Sequence, residues 1–294
     1  MESIQLIHST LAAFALSLTI ISAWIKRSPW IWGGFLILAF SLGALAHIFT
    51  PIALIPIGAL LILHAVLKSE FGGWTRFALV CATVLISLGL LLHKWPGFHN
   101  WLIIDKMQTS EGAKPFSIHL NFDKPFIGLF VLLLGFPLLK DLREFGQMLK
   151  KAVPLSICGT ALMIALALYS GLVAVAPKFP KAFWFFAIEN LLFVCIIEEA
   201  FWRGFLQNEF FRWFGGKGFI ANIGCILATA LLFAVLHFGW VSSIPFLGLV
   251  LSAGVIYGSI YQFTRSLEAS ILCHWLFNVT HFLFFTYPVL ESAL

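Results

Sequence analysis

Three long apolar segments in the C-terminal half of the chain contain ionisable or amide side chains, which such segments normally lack. They read Ile-Ile-Glu198-Glu199-Ala-Phe-Trp-Arg203, Phe233-Ala-Val-Leu-His237 and His274-Trp-Leu-Phe-Asn278. Inside a membrane each charged side chain costs at least about 2.5–3.5 kcal/mol, so these residues are candidates for function by default. Carboxylate, imidazole and amide groups can together take a proton from water and donate hydrogen bonds to an oxyanion. Hydrolysis is thus one kind of chemistry that these residue types could carry out.

Helical geometry separates the two neighbouring glutamates. Glu199 and Arg203 are four residues apart, so they share a helix face and can form an ion pair. Glu198 points about 100° away and has no cationic partner in its own helix. An unpaired carboxylate in an apolar setting can exchange a proton near neutral pH, as a general base must. The alternative is a structural ion cluster in which both glutamates pair with Arg203.

A histidine is expected at the same membrane depth as Glu198. Residues 215–218 (Gly-Gly-Lys-Gly) predict a turn between two antiparallel helices. Glu198 precedes this turn by about 17 residues and His237 follows it by about 20, so at ~1.5 Å per residue both lie roughly 25–30 Å from it. The geometry requires one long helix between Glu198 and the turn. We therefore predict that Glu198 and His237 lie side by side.

The third segment presents two polar groups on one helix face. His274 and Asn278 are four residues apart, so both project from the same side. His281 falls near the same stripe, but a single histidine there is more typical of a hydrogen-bonded bystander. The same interpretation applies to the histidines in the apolar runs of the first half, which are His8, His47 and His64.

The elements that carry these residues must be membrane helices. Of the 294 residues, 61% are hydrophobic and 11% are charged, and the mean hydropathy is +0.98, whereas about a quarter of an average soluble domain is charged. Charges this sparse cannot cover a water-facing surface. The net charge of +5 fits basic loops that orient a membrane protein better than it fits nucleic-acid binding. The 5 cysteines lie singly, which argues against a disulfide framework or a thiolate metal site.

About ten apolar runs reach the length of a membrane span, ~17–25 residues. They cover residues 4–25, 29–49, 51–67, 77–93, 125–139, 152–175, 182–213, 218–238, 244–263 and 267–288. The predicted fold class is all-α, a polytopic transmembrane helical bundle of about 8–10 spans with its catalytic core in the C-terminal half. Run 125–139 is short and contains Pro137, which makes it the weakest candidate. Basic loops, among them Lys26-Arg27 and residues 140–151, predict the cytoplasmic side.

One long polar segment, residues 94–124, sets the domain organisation. Its prolines, glycines and mixed charges are typical of an interfacial loop rather than of a folded domain. Residues 1–93 then form an N-terminal group of transmembrane helices of unknown role. Residues 125–294 form the core that carries the chemistry.

The three motifs, in this order, resemble the CAAX-protease and bacteriocin-processing family, which includes the eukaryotic prenyl-protein (Ras-converting) endopeptidase. The motifs of that family are Glu-Glu-x-x-x-Arg, Phe-x-x-x-His and His-x-x-x-Asn/Asp. All three match here, in succession and inside apolar runs. The resemblance covers residues 155–287, and the first 150 residues carry no motif of a family.

The resemblance implies an intramembrane endopeptidase of the glutamic type that needs no metal and no other cofactor. The site residues that it implies are the catalytic Glu198, His237, His274 and Asn278 and the supporting Glu199 and Arg203. The first glutamate and the first histidine would activate water, and the second histidine and the asparagine would form an oxyanion site. The implied partners are the lipid bilayer and a membrane-embedded or membrane-associated peptide or protein, and not nucleic acid. The implied location is the inner or plasma membrane, if the cell is prokaryotic.

Three other functions stay open at this point. A zinc protease would use Glu198, His237 and His274 as ligands, although the sequence has no His-Glu-x-x-His signature and asparagine is not a usual zinc ligand. A proton-coupled transporter or channel also places glutamates and histidines inside the membrane, but no internal repeat of the transporter type is visible. A catalytically silent scaffold or immunity factor would keep the fold, and the complete motif set argues against it.

Overall fold

The computed structural model of the protein describes residues 2–25, 28–69, 71–133, 141–239 and 243–293. It confirms the all-α prediction, because each predicted apolar run contains a helix. The helices are α1 (Glu2–Ile25), α2 (Pro29–Leu45), α3 (Leu54–Leu67, after a 3-10 turn at Pro51–Ala53), α4 (Gly73–Leu91), α5 (Pro125–Leu133), α6 (Leu142–Tyr169), α7 (residues 183–214), α8 (Phe219–Leu236), α9 (Ile244–Thr264) and α10 (Leu267–Phe284). A second 3-10 turn covers Glu291–Ala293.

Among the described residues, 5 helices are long and apolar enough to cross a membrane. They are Ser3–Ile25, Gly73–Leu91, Leu142–Tyr169, Phe219–Leu236 and Ile244–Thr264. Pro29–Leu45 and Pro51–Leu67 are shorter apolar helices. Large apolar side chains point outward from the helices, for example Leu85 and Ile62, which are 70% and 67% exposed. Since this surface suits lipid and not water, the chain is an integral, multi-pass membrane protein.

Parts of two predictions lie outside the described residues. Helix α5 is described from Pro125 to Leu133, so the end of run 125–139, with Pro137, is outside. The basic pair Lys26-Arg27 and the first residue of the basic stretch 140–151 are outside as well.

The chain divides into two compact units. The first contains Met1–Ile103 and Ile118–Phe136, and the second contains Ile104–Ser117 and Pro137–Leu294. Within the first unit α1 packs along α2, and α5 packs against α1 and α3. Because of these contacts, α5 groups with the N-terminal helices, whereas the sequence placed it in the predicted core at 125–294.

The segment predicted as an interfacial loop contains two strands, β1 (Trp101–Met107) and β2 (Phe116–Leu120), which pair in a two-stranded sheet. The part of this hairpin that belongs to the second unit packs on the chain that follows α10. Thr109 Oγ1 donates a hydrogen bond to the carbonyl oxygen of Tyr287 (2.9 Å), and Ala113 forms a bridge with Leu290. The hairpin therefore anchors the end of the segment that carries His274 and Asn278.

Helix α7 extends without a break over residues 183–214, as the sequence predicted for run 182–213. It is α-helical at Phe183–Glu189, Ile196–Glu199 and Asn208–Phe214, and π-helical at Asn190–Cys195 and Ala200–Gln207. Wider π-helical turns occur frequently at functional sites. The predicted glycine turn follows at once, with left-handed backbone at Gly216 (φ 74°) and Gly218 (φ 119°), a conformation that glycine adopts without strain.

The interior of the second unit lies between α6, α9 and α10. Its buried members include Met163, Ala167, Tyr257, Ala269 and Cys273. Gly159 lets α6 approach α9 closely, because a Cβ there would lie 2.7 Å from the Ile256 side chain. This close packing fixes the positions of α9 and α10, which face the polar side chains of α7.

Candidate active site

Glu199, in the interior of the second unit, holds two cationic or potentially cationic partners. Its Oε1 accepts one hydrogen bond from Arg203 Nη1 and another from His274 Nδ1, both at 2.9 Å. Its Oε2 is buried and has no hydrogen-bond partner among the described residues. The Glu199–Arg203 ion pair predicted from their spacing is therefore present, and α10 adds His274 to it.

Aromatic rings surround the Arg203 guanidinium. Its carbon atom lies 5.0 Å from the ring centroid of Phe233 and 5.3 Å from that of Tyr257, and Nη2 donates to the carbonyl oxygen of Gly254 (3.2 Å). Cation–π contacts of this kind stabilise a desolvated charge. Tyr257 also stacks on His274, with 4.7 Å between ring centroids and 19° between planes. One tyrosine thus fixes both the cation and the imidazole plane.

Glu198, unlike its neighbour, has no hydrogen-bond or ion-pair partner in the part of the chain that the structure describes. The residue is buried, with 8% of its surface exposed, and no described residue donates a hydrogen bond to its carboxylate or forms an ion pair with it. Buried polar groups are almost always hydrogen-bonded. Glu198 is therefore the carboxylate whose hydrogen-bonding capacity is left for a water molecule or a substrate.

The backbone of α8 fixes the tautomer of His237. This residue follows the last turn of α8, and its Nδ1 lies 2.8 Å from the carbonyl oxygen of Phe233. Because a carbonyl oxygen only accepts hydrogen bonds, Nδ1 is the nitrogen that carries the proton. In the neutral ring the lone pair then belongs to Nε2, which is the atom able to act on a proton donor.

The register of α7 against α8 supports the predicted neighbourhood of Glu198 and His237. Trp202 contacts Phe233 across the two helices, with ring centroids 5.6 Å apart, and Arg203 lies over the same ring. One turn before Trp202 along α7 is Glu198, and one turn after Phe233 along α8 is His237. The two helices run antiparallel, because the glycine turn at residues 215–218 joins them. The helical turn of α7 that contains Glu198 therefore lies level with the end of α8 that contains His237.

Asn278 joins a second polar group one turn further along α10. Its Nδ2 donates to Asn190 Oδ1 (3.0 Å) and to Cys195 Sγ (3.7 Å). Cys195 Sγ also donates to Asn190 Oδ1, at 3.2 Å. His274 and Asn278 thus both face α7, as their spacing predicts, but they bind different partners on it.

A known family covers this part of the chain. Residues 180–280 match the family model described as type II CAAX prenyl endopeptidase Rce1-like, and this span contains every candidate site residue from Glu198 to Asn278. We call residues 180–280, which match this family model, the CAAX-protease core. No curated protein and no solved structure matches the chain. The resemblance inferred from the three motifs is therefore confirmed over these residues, and it supports a membrane peptidase at the level of the family.

Asn190, Gln207 and Tyr257 are polar residues around the site that the sequence analysis did not single out. Asn190 and Gln207 are 5% and 0% exposed, and Gln207 Nε2 donates to the carbonyl oxygen of Gly258 (3.1 Å). Both lie within run 182–213, so the criterion applied to Glu198, a polar residue inside a span, would have found them. Tyr257 gave no comparable signal, because an aromatic residue in an apolar run is ordinary.

His281 is a hydrogen-bonded bystander, as expected. It is buried, and its Nε2 lies 3.0 Å from the carbonyl oxygen of Thr286. This contact ties the end of α10 to the chain that follows it and does not involve Glu198 or Glu199.

The geometry also bears on metal binding. In the part of the chain that the structure describes, no group of three or more His, Cys, Asp and Glu side chains is arranged to hold a metal ion. The zinc alternative, with Glu198, His237 and His274 as ligands, gains no support from this arrangement. Metal independence stays a prediction.

Proposed function

We propose that the CAAX-protease core hydrolyses a peptide bond of a membrane-associated substrate with a water molecule that Glu198 activates. The contrast between two adjacent buried glutamates carries this proposal. Glu199 holds Arg203 and His274, whereas Glu198 has no hydrogen-bond partner among the described residues. A general base must be able to accept a proton from water, and a carboxylate without a bound cation meets that requirement.

The reaction balances with Glu198 as the proton carrier. Its carboxylate takes a proton from water while the water oxygen bonds to the scissile carbonyl carbon, and the π electrons of the carbonyl group move to its oxygen. When this tetrahedral intermediate collapses, the C–N bond breaks and the leaving nitrogen takes the proton from Glu198. The products are a new carboxyl terminus and a new amine.

His237 orients the water in this proposal. With the proton on Nδ1 and directed at the Phe233 carbonyl oxygen, Nε2 can accept a hydrogen bond from the water that Glu198 deprotonates. The position of His237 one turn beyond Phe233 supports this role, because Phe233 lies at the level of Trp202 and Arg203.

His274 and Asn278 form the oxyanion side of the proposed site. Nδ1 of His274 donates to Glu199, so donation to an oxyanion requires a second proton on Nε2. The stacked Tyr257 ring holds the plane of this imidazole. Donors placed in advance around a developing oxyanion contribute about 10²–10³ in rate each.

The substrate class follows from the family and from the membrane setting. The family description, a CAAX prenyl endopeptidase, favours a lipidated tail, and a precursor peptide is the other form that we include. The partners are then the bilayer and a membrane-embedded or membrane-associated peptide or protein, without nucleic acid and without a cofactor. In a prokaryote the location is the inner or plasma membrane.

The test is cleavage by the purified full chain in detergent. The probes are three internally quenched peptides: one that ends in a prenylated CAAX sequence, the same peptide without the prenyl group, and one with an apolar transmembrane segment. We expect wild-type protein to cleave at least one probe, Glu198→Gln to lose that cleavage, and Glu291→Gln, an exposed control, to keep it. Cleavage of none of the probes by wild type, or equal cleavage by Glu198→Gln, would contradict the proposal.

A further inference from the structure

We propose that Asn190 is a further catalytic residue, whose amide nitrogen donates a hydrogen bond to the substrate oxyanion. Asn190 lies in the first π-helical segment of α7 and belongs to none of the three sequence motifs. The inference rests on the proposed function and adds a donor to the side of the site that contains Asn278.

The hydrogen bonds of Asn190 fix the orientation of its amide. Its Oδ1 accepts from Cys195 Sγ at 3.2 Å and from Asn278 Nδ2 at 3.0 Å. An amide oxygen has two lone pairs, so both are occupied by the protein. The Asn190 side chain is thereby held with its oxygen towards Cys195 and Asn278 and its nitrogen directed elsewhere.

The Asn190 nitrogen lacks a partner of its own. The residue is 5% exposed, and Nδ2 has no hydrogen-bond acceptor among the described residues. Its N–H groups are therefore available to donate to a substrate oxygen. A substrate oxygen supplies the missing acceptor in the complex.

Asn278, the other amide on the oxyanion side, must give up one of its present hydrogen bonds to donate to the same oxygen. Its Nδ2 carries two protons, and these are directed at Asn190 Oδ1 and Cys195 Sγ. The uncommitted amide protons of the pair therefore belong to Asn190. Asn278, the residue that the family motif contains, orients Asn190 in this arrangement.

Cys195 links this amide pair to the general base. Cys195 lies one helical turn before Glu198 on α7, and its Sγ is hydrogen-bonded to Asn190 Oδ1. A substrate carbonyl group that binds beside Glu198 therefore lies near the Asn190 amide. A donor at that place would strengthen its bond as negative charge develops on the oxygen.

The test compares Asn190→Asp with Asn208→Asp, using whichever quenched peptide the wild-type protein cleaves. Asn190→Asp keeps an oxygen for Cys195 and Asn278 but removes the N–H donor, so we expect kcat to fall by about 10²–10³-fold with KM within a few-fold of wild type. Asn208 is the matched control, because it is on the same helix and bonds to Gly204 and Tyr261. Asn208→Asp should keep the wild-type kcat.

A second variant covers the case in which Asn190→Asp does not fold. Asn190→Ser keeps a small donor, so its kcat should lie between those of the aspartate variant and the wild type, or at about a tenth of wild type if the aspartate variant is lost. Wild-type kcat in Asn190→Asp or in Asn190→Ser, while Glu198→Gln is inactive, would overturn the role of Asn190 and leave the proposed function intact. Wild-type activity in Glu198→Gln, or no cleavage by wild type, would overturn the proposed function and this inference with it.

Discussion

Each of the two units contains a histidine hydrogen-bonded to a buried carboxylate. In the first unit His93 Nδ1 lies 2.7 Å from Asp123 Oδ2, and in the second His274 Nδ1 lies 2.9 Å from Glu199 Oε1. The surroundings differ. The side chain of His93 is 38% exposed, whereas that of His274 is 7% exposed and stacks on Tyr257.

The two carboxylates also differ in what lies beside them. Asp123 Oδ1 accepts a hydrogen bond from the Lys124 backbone N–H, so both of its oxygens are used in shaping a loop. Glu199 is bound by Arg203, and the residue before it, Glu198, is a second buried carboxylate without a partner among the described residues. Both units contain a histidine–carboxylate pair, so in our proposal the feature that distinguishes the second unit is the uncommitted carboxylate of Glu198 beside the pair.

Substitution of Glu198 should have the largest effect on activity. Glu198→Gln removes the proposed base but no hydrogen bond or ion pair among the described residues, so we expect kcat to fall by about 10²–10⁴-fold with an unchanged melting temperature. Steady-state kinetics on a cleaved peptide and a thermal melt of the same sample measure the two quantities. A large drop in melting temperature would show that Glu198 holds the fold, as Glu199 does.

Substitution of the Glu199–Arg203 pair should affect stability as well as activity. Glu199→Ala or Arg203→Ala leaves one charge buried without its partner, at a cost of about 3–5 kcal/mol. Thermal melts of the purified variants should therefore drop, and a double variant with methionine at both positions should recover part of the loss, because it removes both charges. Unchanged melting with lost activity would move this pair into the chemical step.

Asp123→Asn should have the smallest effect. The amide keeps an oxygen for the Lys124 backbone N–H, and the partly exposed His93 can change tautomer to accept from the new amide nitrogen. We expect the melting temperature to fall less than in Glu199→Ala and the rate of peptide cleavage to stay unchanged. A loss of activity as large as that in Glu198→Gln would remove the distinction between the two histidine–carboxylate pairs.

Those features that depend on local periodicity were predictable from the sequence. The apolar runs predicted helices, and helices are present. The i,i+4 spacing of Glu199 and Arg203 predicted their ion pair, and the glycines at 215–218 predicted the turn after α7. The strands at Trp101–Met107 and Phe116–Leu120 were missed, although Phe116-Ser-Ile-His-Leu120 alternates apolar and polar residues. Each strand is short, and the prolines and glycines around the two strands favoured a loop.

Side-chain partners between helices could not be predicted in the same way. That His274 binds Glu199 while Asn278 binds Asn190 depends on the rotation of α10 against α7. The π-helical turns of α7 change the direction of the side chains after them, and no local periodicity of the sequence indicates where they occur. The stacking of Tyr257 on His274 likewise depends on how closely α9 approaches α10.

The measurement that tests the central claim most directly is peptide cleavage by purified wild-type protein before and after prolonged treatment with a strong chelator, with the metal content of the same sample. Glu198, His237 and His274 are the residues that either mechanism would use, as base and orienting groups or as zinc ligands. The account predicts no stoichiometric zinc and the same rate of cleavage after chelation. Loss of cleavage on chelation and its return on addition of zinc would contradict a glutamate-activated water and identify these three residues as ligands.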